Sequence, residues 1–221
     1  MQAGLLYLLA IGLKTTFETT KQARDLALDG QIDNAGPDVV SSNATAYIKL
    51  TGGGTSAWWR ESRQYAFPDT GSAAALLVST SRQRLSGLGG AYSADGASGL
   101  LVAESVSIDG RDNPSTSRTV VDRAAATVYQ INQAPDSTVA SLSVTVNGLR
   151  QSSRSTHNLT TTYDYDALGR MVSMQDARGG VYSRGYDEWG RVAWESDPAT
   201  NGTWYAYDAL GRRTAVTNAL G

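Results

Sequence analysis

Between residues 163 and 221 the chain repeats itself every 21 residues, and this periodicity constrains the fold more than any other feature. Tyr165-Asp166-Ala167-Leu168-Gly169-Arg170 returns as Tyr186-Asp187-Glu188-Trp189-Gly190-Arg191 and again as Tyr207-Asp208-Ala209-Leu210-Gly211-Arg212. A second landmark, Asp176, Asp197 and Asn218, keeps the same step. Two strands of about five or six residues and two tight turns consume a period of this length. In the Asp-x-x-Gly turn, the aspartate can accept hydrogen bonds from backbone amides two or three residues on. The glycine can enter positive φ without steric cost. A type I turn followed by a left-handed glycine closes a hairpin with a G1 bulge. A β-branched residue at Gly169 should therefore destabilise the fold. The second turn of the repeat reads as Asp176-Ala177-Arg178-Gly179, then Asp197-Pro198-Ala199-Thr200-Asn201-Gly202, then Asn218-Ala219-Leu220-Gly221. Each repeat is then one hairpin, and successive hairpins pair into one sheet.

The side chains agree with strands. Tyr163 and Tyr165 are two apart, as are Tyr205 and Tyr207, and Tyr182, Arg184 and Tyr186 share that parity. Residues two apart lie on one face of a strand, so stacked repeats place their tyrosines in a ladder. With 11 Tyr and 5 Trp against 2 Phe, the aromatic content suits half-buried sheet faces. The arginine after each turn glycine can stack on a neighbouring tyrosine or pair with the turn aspartate. The strand that begins at Arg170, Arg191 or Arg212 does not alternate cleanly: Val172 and Met174 suggest one face, Val192 and Trp194 the other. A bulge would produce that mismatch.

Tyr-Asp-x-x-Gly-Arg motifs at this spacing resemble the YD repeats, also called RHS repeats, of bacterial polymorphic toxins, of insecticidal toxin-complex shells and of animal teneurins. The clear motifs cover about a quarter of the chain. The resemblance implies an all-β fold of repeated antiparallel β-hairpins forming a continuous curved sheet. In that family the sheet spirals into a hollow shell, which in the bacterial toxins encloses a toxic domain. The implied role is a non-enzymatic wall segment of a secreted or cell-surface bacterial protein. Its partners would be the remainder of a longer shell and an enclosed toxin domain. The implied structural positions are Tyr165, Asp166, Gly169 and Arg170, then Tyr186, Asp187, Gly190 and Arg191, then Tyr207, Asp208, Gly211 and Arg212. Since the family pattern calls for a return strand after Gly221, the chain is expected to be a piece of a longer protein.

Upstream the motif is absent, yet strands and turns continue. Residues 45–50, 57–67, 73–85, 100–108, 119–131, 139–146 and 151–165 read as strands, separated by glycine, proline and Asp-Gly or Asn-Gly signals. Asp109-Gly110 and Asn147-Gly148 look like hairpin turns. The organisation expected is an N-terminal segment at 1–29, a degenerate β-repeat region at 30–160 and the YD repeats at 161–221. A separate β-sandwich at 30–150 is the competing arrangement. Gly4 to Leu13 is apolar but too short to span a bilayer. It is either a signal peptide lacking its basic start or a buried strand or helix. Residues 14–28 suit a polar strand or a short amphipathic helix, their threonines favouring the strand.

Little in the chain points to catalysis. There is no cysteine, and the net charge of −2 gives no basic face for nucleic acid. His157 is the sole histidine and sits in a polar stretch without a nucleophile elbow. Zinc-ligand spacing, phosphate loops and dinucleotide fingerprints are missing. Asp109 and Asp112 match no calcium loop, and a turn is the better reading. No catalytic residue, metal or cofactor is expected. Trp58, Trp59, Trp189, Trp194 and Trp204 either pack in the core or form a platform for a glycan or a host surface.

Overall fold

The computed structural model describes residues 18–24, 39–52, 55–67 and 75–219. All sixteen elements among the described residues are strands. The apolar stretch Gly4–Leu13 lies outside the described residues. No helix among the described residues is long and apolar enough to cross a membrane. The chain divides into two compact units, Met1–Val121 with Asn132–Ser137, and Asp122–Ile131 with Thr138–Gly221.

The first unit contains β1 (Glu18–Arg24), β2 (Val39–Gly52), β3 (Thr55–Phe67), β4 (Leu76–Arg84), β5 (Ala91–Ala94), β6 (Ala97–Asp109) and β7 (Pro114–Asp122, ending at the unit boundary). Its strands pair antiparallel in the order β1-β2-β3-β4-β6-β7, and β5 folds back on β6. They form one sheet and not the two packed sheets of a sandwich. Ala57, Trp59 and Val106 are buried on one face, with Ile48, Leu50 and Ile108 packed against them. Glu61 is 3% exposed on that face. Arg82 Nε at 2.7 Å and Arg63 Nε at 2.8 Å hold its carboxylate. A carboxylate this deep is tolerated because both oxygens are paired.

β8 (Thr127–Gln133) is shared between the units, and the second unit continues with β9 (Ser141–Val146), β10 (Leu149–Arg154), β11 (Thr160–Tyr165), β12 (Met171–Gln175), β13 (Val181–Tyr186), β14 (Val192–Ser196), β15 (Gly202–Tyr207) and β16 (Arg213–Asn218). From β9 onward each strand pairs antiparallel with the next. The expected bulge is present in every repeat. Tyr165 pairs with Met171 while Asp164 pairs with Ser173, and Tyr186, Val192, Gly185 and Trp194 repeat the pattern. The extra residue is Val172 in one repeat and Ala193, 21 residues on, in the next, so the bulge falls at the same place in both and does not account for the change from Val172 and Met174 to Val192 and Trp194.

Two expectations are corrected and one strand is added. Residues 119–131 are two strands, because Asp122 accepts the N–H groups of Ala124 and Ala125 and turns the chain, with Ala126 at φ +48°. Residues 151–165 are also two strands, split at Ser155–Asn158. Strand β5 went unforeseen; it closes on β6 through Asp95 and Gly96, both at positive φ.

Candidate functional site

The repeat is built around one turn. In the first copy the N–H of Asp166 donates to Arg170 O at 2.9 Å, and the N–H of Gly169 donates to Asp166 O at 2.9 Å. The Asp166 carboxylate closes the loop. Its Oδ1 accepts the N–H of Leu168 at 3.0 Å and of Arg170 at 2.9 Å. The amides used are thus two and four residues on, where two or three were expected, since the third belongs to the backbone bond of Gly169. Gly169 has φ +77°, with Gly190 at +81° and Gly211 at +80° in the following copies. This is the left-handed fourth residue that the G1 hairpin requires.

The same frame recurs where the sequence hides it. At Asp176 the fourth residue is Gly179, at φ +85°. At Asp197 it is Thr200, at φ +65°, with Asp197 Oδ1 accepting the N–H of Asn201 at 2.9 Å. The turn there is four residues long and not six, and Gly202 already belongs to β15. At Ser155 a hydroxyl replaces the carboxylate, accepting the N–H groups of His157 and Leu159 at 3.3 Å, and Asn158 takes φ +60°. In the first unit Asp109 accepts the N–H groups of Arg111 and Asn113, with Asp112 at φ +62°. Asp109-Gly110 is therefore the start of the longer turn and not a two-residue hairpin loop. Asn147-Gly148 is such a loop, with φ +50° and +82°. His157 is accounted for as an exposed turn residue.

Arginine joins one repeat to the next. Arg170 Nε donates to Asp166 Oδ2 at 2.7 Å, and its guanidinium lies 4.4 Å from the ring centre of Tyr186. The Tyr186 hydroxyl donates to Met171 O at 2.8 Å. One period later Arg191 pairs with Asp187 at 2.6 Å and lies 4.4 Å from the Tyr207 ring. The Tyr207 hydroxyl donates to Val192 O at 2.9 Å. A planar cation thus sits between the turn aspartate of one repeat and the ring of the following one. Arg212 pairs with Asp208 at 2.7 Å, but its side chain is 75% exposed against 30% for Arg170 and 24% for Arg191. Leu149 occupies the corresponding place one period earlier, its methyls 3.6–3.7 Å from where a Gly169 Cβ would lie.

Five of the turn aspartates, Asp109, Asp166, Asp187, Asp197 and Asp208, titrate low. The N–H of Arg170 and then, against the opposing effect of burial, its guanidinium hold Asp166 below the usual carboxylate range. For Asp187 burial works upward, and the amide and guanidinium of Arg191 outweigh it. The amide and guanidinium of Arg212 lower Asp208. Asn201 lowers Asp197 through its side chain and amide, and Asn113 does the same for Asp109.

A cavity of about 330 Å³ opens beside the repeats, lined by Met171, Tyr182, Arg184, Glu195, Asn201 and Thr203 among others. Its carboxylate is engaged: Glu195 accepts the Tyr205 hydroxyl and, at 3.3 Å, Arg184 Nη2. Among the described residues no group of three or more His, Asp or Glu could hold a metal ion. The tryptophans separate. Trp59 is buried at 9% exposure, which removes it from any platform. Trp194 and Trp204 face each other across β14 and β15 and remain 38% and 50% exposed. They fill the space over Gly185 and Gly202, where a Cβ would fall 2.0 and 2.4 Å from the indoles.

Residues 146–181 and 186–221 match the RHS Repeat family. The C-terminal part of this chain is thus similar to RHS repeats. The first match takes in the Asn147-Gly148 hairpin, so the repeat begins before the earliest Tyr-Asp motif. No curated protein matches the chain. Among solved structures, 86% of the chain aligns with 11% of a chain from the Tc holotoxin pore of Photorhabdus luminescens, at 10% identity and a TM-score of 0.25.

Proposed function

We propose that the RHS repeats act as a wall segment of a larger secreted or cell-surface bacterial protein, which encloses or displays another domain and carries out no catalysis here. The observation that carries this reading is the arginine link. Asp166, Arg170 and Tyr186 tie two hairpins together, and Asp187, Arg191 and Tyr207 tie the next two in the same way. A unit that attaches to the next copy of itself suits propagation of a sheet, as in other repeat proteins. From β10 to β16, Gly202 is the only buried residue among those described, so the sheet is held by turns and inter-repeat contacts more than by a deep core. The partners under this reading are the remainder of the shell and its contents. The test is an immunoblot of source cells and medium with an antibody raised to residues 160–221. The expected product is far larger than 23.4 kDa and shields its contents from added protease. A single species at 23.4 kDa would overturn the wall reading.

A second reading is a module that binds glycans or a host surface. The exposed Trp194–Trp204 pair favours it, since flat indoles stack on the apolar faces of sugars.

A further inference from the structure

The turns at the two edges of the second unit's sheet share one frame but not one side chain. Hairpins β11–β12, β13–β14 and β15–β16 turn at one edge, and the turns from β10 to β11, β12 to β13 and β14 to β15 lie at the other. At the first edge Asp166, Asp187 and Asp208 accept the N–H groups of the third turn residues, Leu168, Trp189 and Leu210, at 3.0 Å. Arg178, His157 and Ala199 hold that place at the other edge, and the N–H groups of Arg178 and His157 are bound in the same way. The turn therefore uses the backbone of this residue and makes no demand on its side chain. Yet the first edge carries a large apolar residue at each of its three positions. Leu168 is 77% exposed, Trp189 71% and Leu210 79%. The Arg191 guanidinium lies 4.8 Å from the Trp189 ring centre and still leaves most of the indole open. Exposed apolar residues scattered singly are ordinary, but three at one turn position along one edge form a ridge. Recurring every two strands, they stand about 9.6 Å apart and span about 19 Å.

We propose that this ridge pairs with the same ridge of a second copy of the chain, the two running antiparallel about a two-fold axis at Trp189. The row reads Leu-Trp-Leu in either direction. Trp189 then faces its own mate, and Leu168 of one copy faces Leu210 of the other. Both rows have the same period, so seating the tryptophans brings the leucines into register. This is the self-complementary patch that a two-fold contact requires. The neighbouring Ala167 and Ala209 are small, and Arg170 and Arg191 are paired with the aspartates of their own turns, so neither bulk nor unpaired positive charge crowds the seam. Glu188, exposed beside Trp189, is the charge that both copies bring to it. A tryptophan and two leucines offer about 400 Å² of apolar surface per copy, about half of what each partner buries in a standard stable interface. The pairing is therefore reversible for this chain, and each further hairpin of the same pattern would lengthen the seam. It goes beyond the wall reading and does not depend on it: a single species at 23.4 kDa would leave the ridge unchanged.

The test is sedimentation equilibrium of the 221-residue chain at rising concentration. A reversible monomer–dimer equilibrium is expected, with a dissociation constant on the order of 100 µM. Added salt should strengthen it, since the seam is apolar and Glu188 opposes its own mate. The Leu168→Ala/Trp189→Ala/Leu210→Ala chain should associate at least about tenfold more weakly. Ala199 already occupies this turn position at the other edge, and circular dichroism checks that the sheet is intact. The Trp194→Ala/Trp204→Ala chain, which loses apolar surface from strands and not from the ridge, should dimerise like the parent. Register is read by disulfide trapping, because the chain has no cysteine of its own. A Leu168→Cys chain mixed with a Leu210→Cys chain of different tag length should give mainly the mixed dimer on mild oxidation. Disulfide dimers of the Leu168→Cys chain alone in equal yield would overturn the antiparallel register. A ridge variant that dimerises like the parent, or a parent that stays monomeric at several times the expected constant, would overturn the pairing. In the second case, flotation with neutral phosphatidylcholine vesicles that is lost in the ridge variant would assign the ridge to a bilayer instead.

Discussion

Among the described residues Thr200 is the one β-branched residue standing at the left-handed turn position, at φ +65°. Its counterpart one period earlier is Gly179, at φ +85°. The two positions form a matched pair for measuring the cost of that conformation. An L-residue in the left-handed region costs about 1–2 kcal/mol. Replacing it with glycine returns some unfolded-state freedom, at a cost of about 0.4–1 kcal/mol. Thr200→Gly should therefore stabilise the chain by about 0.5–1 kcal/mol. The Thr200 hydroxyl donates to Ala199 O at 2.6 Å, but the contact is exposed and water can replace it. Gly179→Thr should destabilise by a similar amount. A Cβ at Gly179 would meet nothing within 4 Å, so no clash contributes and the effect is purely one of backbone. For a unit of this size the shifts amount to about 2–8 °C in melting temperature. Thermal unfolding followed by circular dichroism measures both, and the double variant should melt close to the parent. A Gly179→Thr chain that melts with the parent, or a Thr200→Gly chain that melts lower, would refute the turn argument.

Acid should act through the same turns. Asp109, Asp166, Asp187, Asp197 and Asp208 all sit below their ordinary pKa when folded. Their contribution is complete above the unfolded value of about 3.9 and disappears as pH falls through the lower folded values. The melting temperature should hold between about pH 7 and 5 and fall below about pH 4, and Asp187→Asn should flatten that acid limb. Arg191→Lys keeps the charge but loses the planar guanidinium over Tyr207 and the Nε bond to Asp187. It should cost about 1 kcal/mol from the stacking alone, whereas Arg212→Lys, at a side chain 75% exposed, should cost much less in the same thermal melt.

The repeat was legible because its chemistry is local. An aspartate that closes its own turn and a glycine that takes positive φ act within five residues, so their spacing appears directly in the sequence. The frame is more tolerant than the motif. Ser155 serves for Asp, and Asn158, Asp112 and Thr200 serve for Gly, so those turns were missed or given the wrong length. The break at Asp122–Ala126 escaped because it contains neither glycine nor proline. The arginine was expected to choose between aspartate and tyrosine. It engages both, because Nε and the planar face of the guanidinium point to different neighbours.

By itself, the sequence determined an all-β chain, the 21-residue hairpin period and the turn residues that enforce it. Those are properties of short stretches of backbone. Tertiary structure alone decided which residues from distant strands stand side by side. The row of Thr45, Ser62, Ser81, Ser107 and Ser115, aligned across β2, β3, β4, β6 and β7, has no regular spacing along the chain. It exists because hairpin lengths and bulges set the register of each strand against the next, and a shift of one residue would turn each side chain to the opposite face.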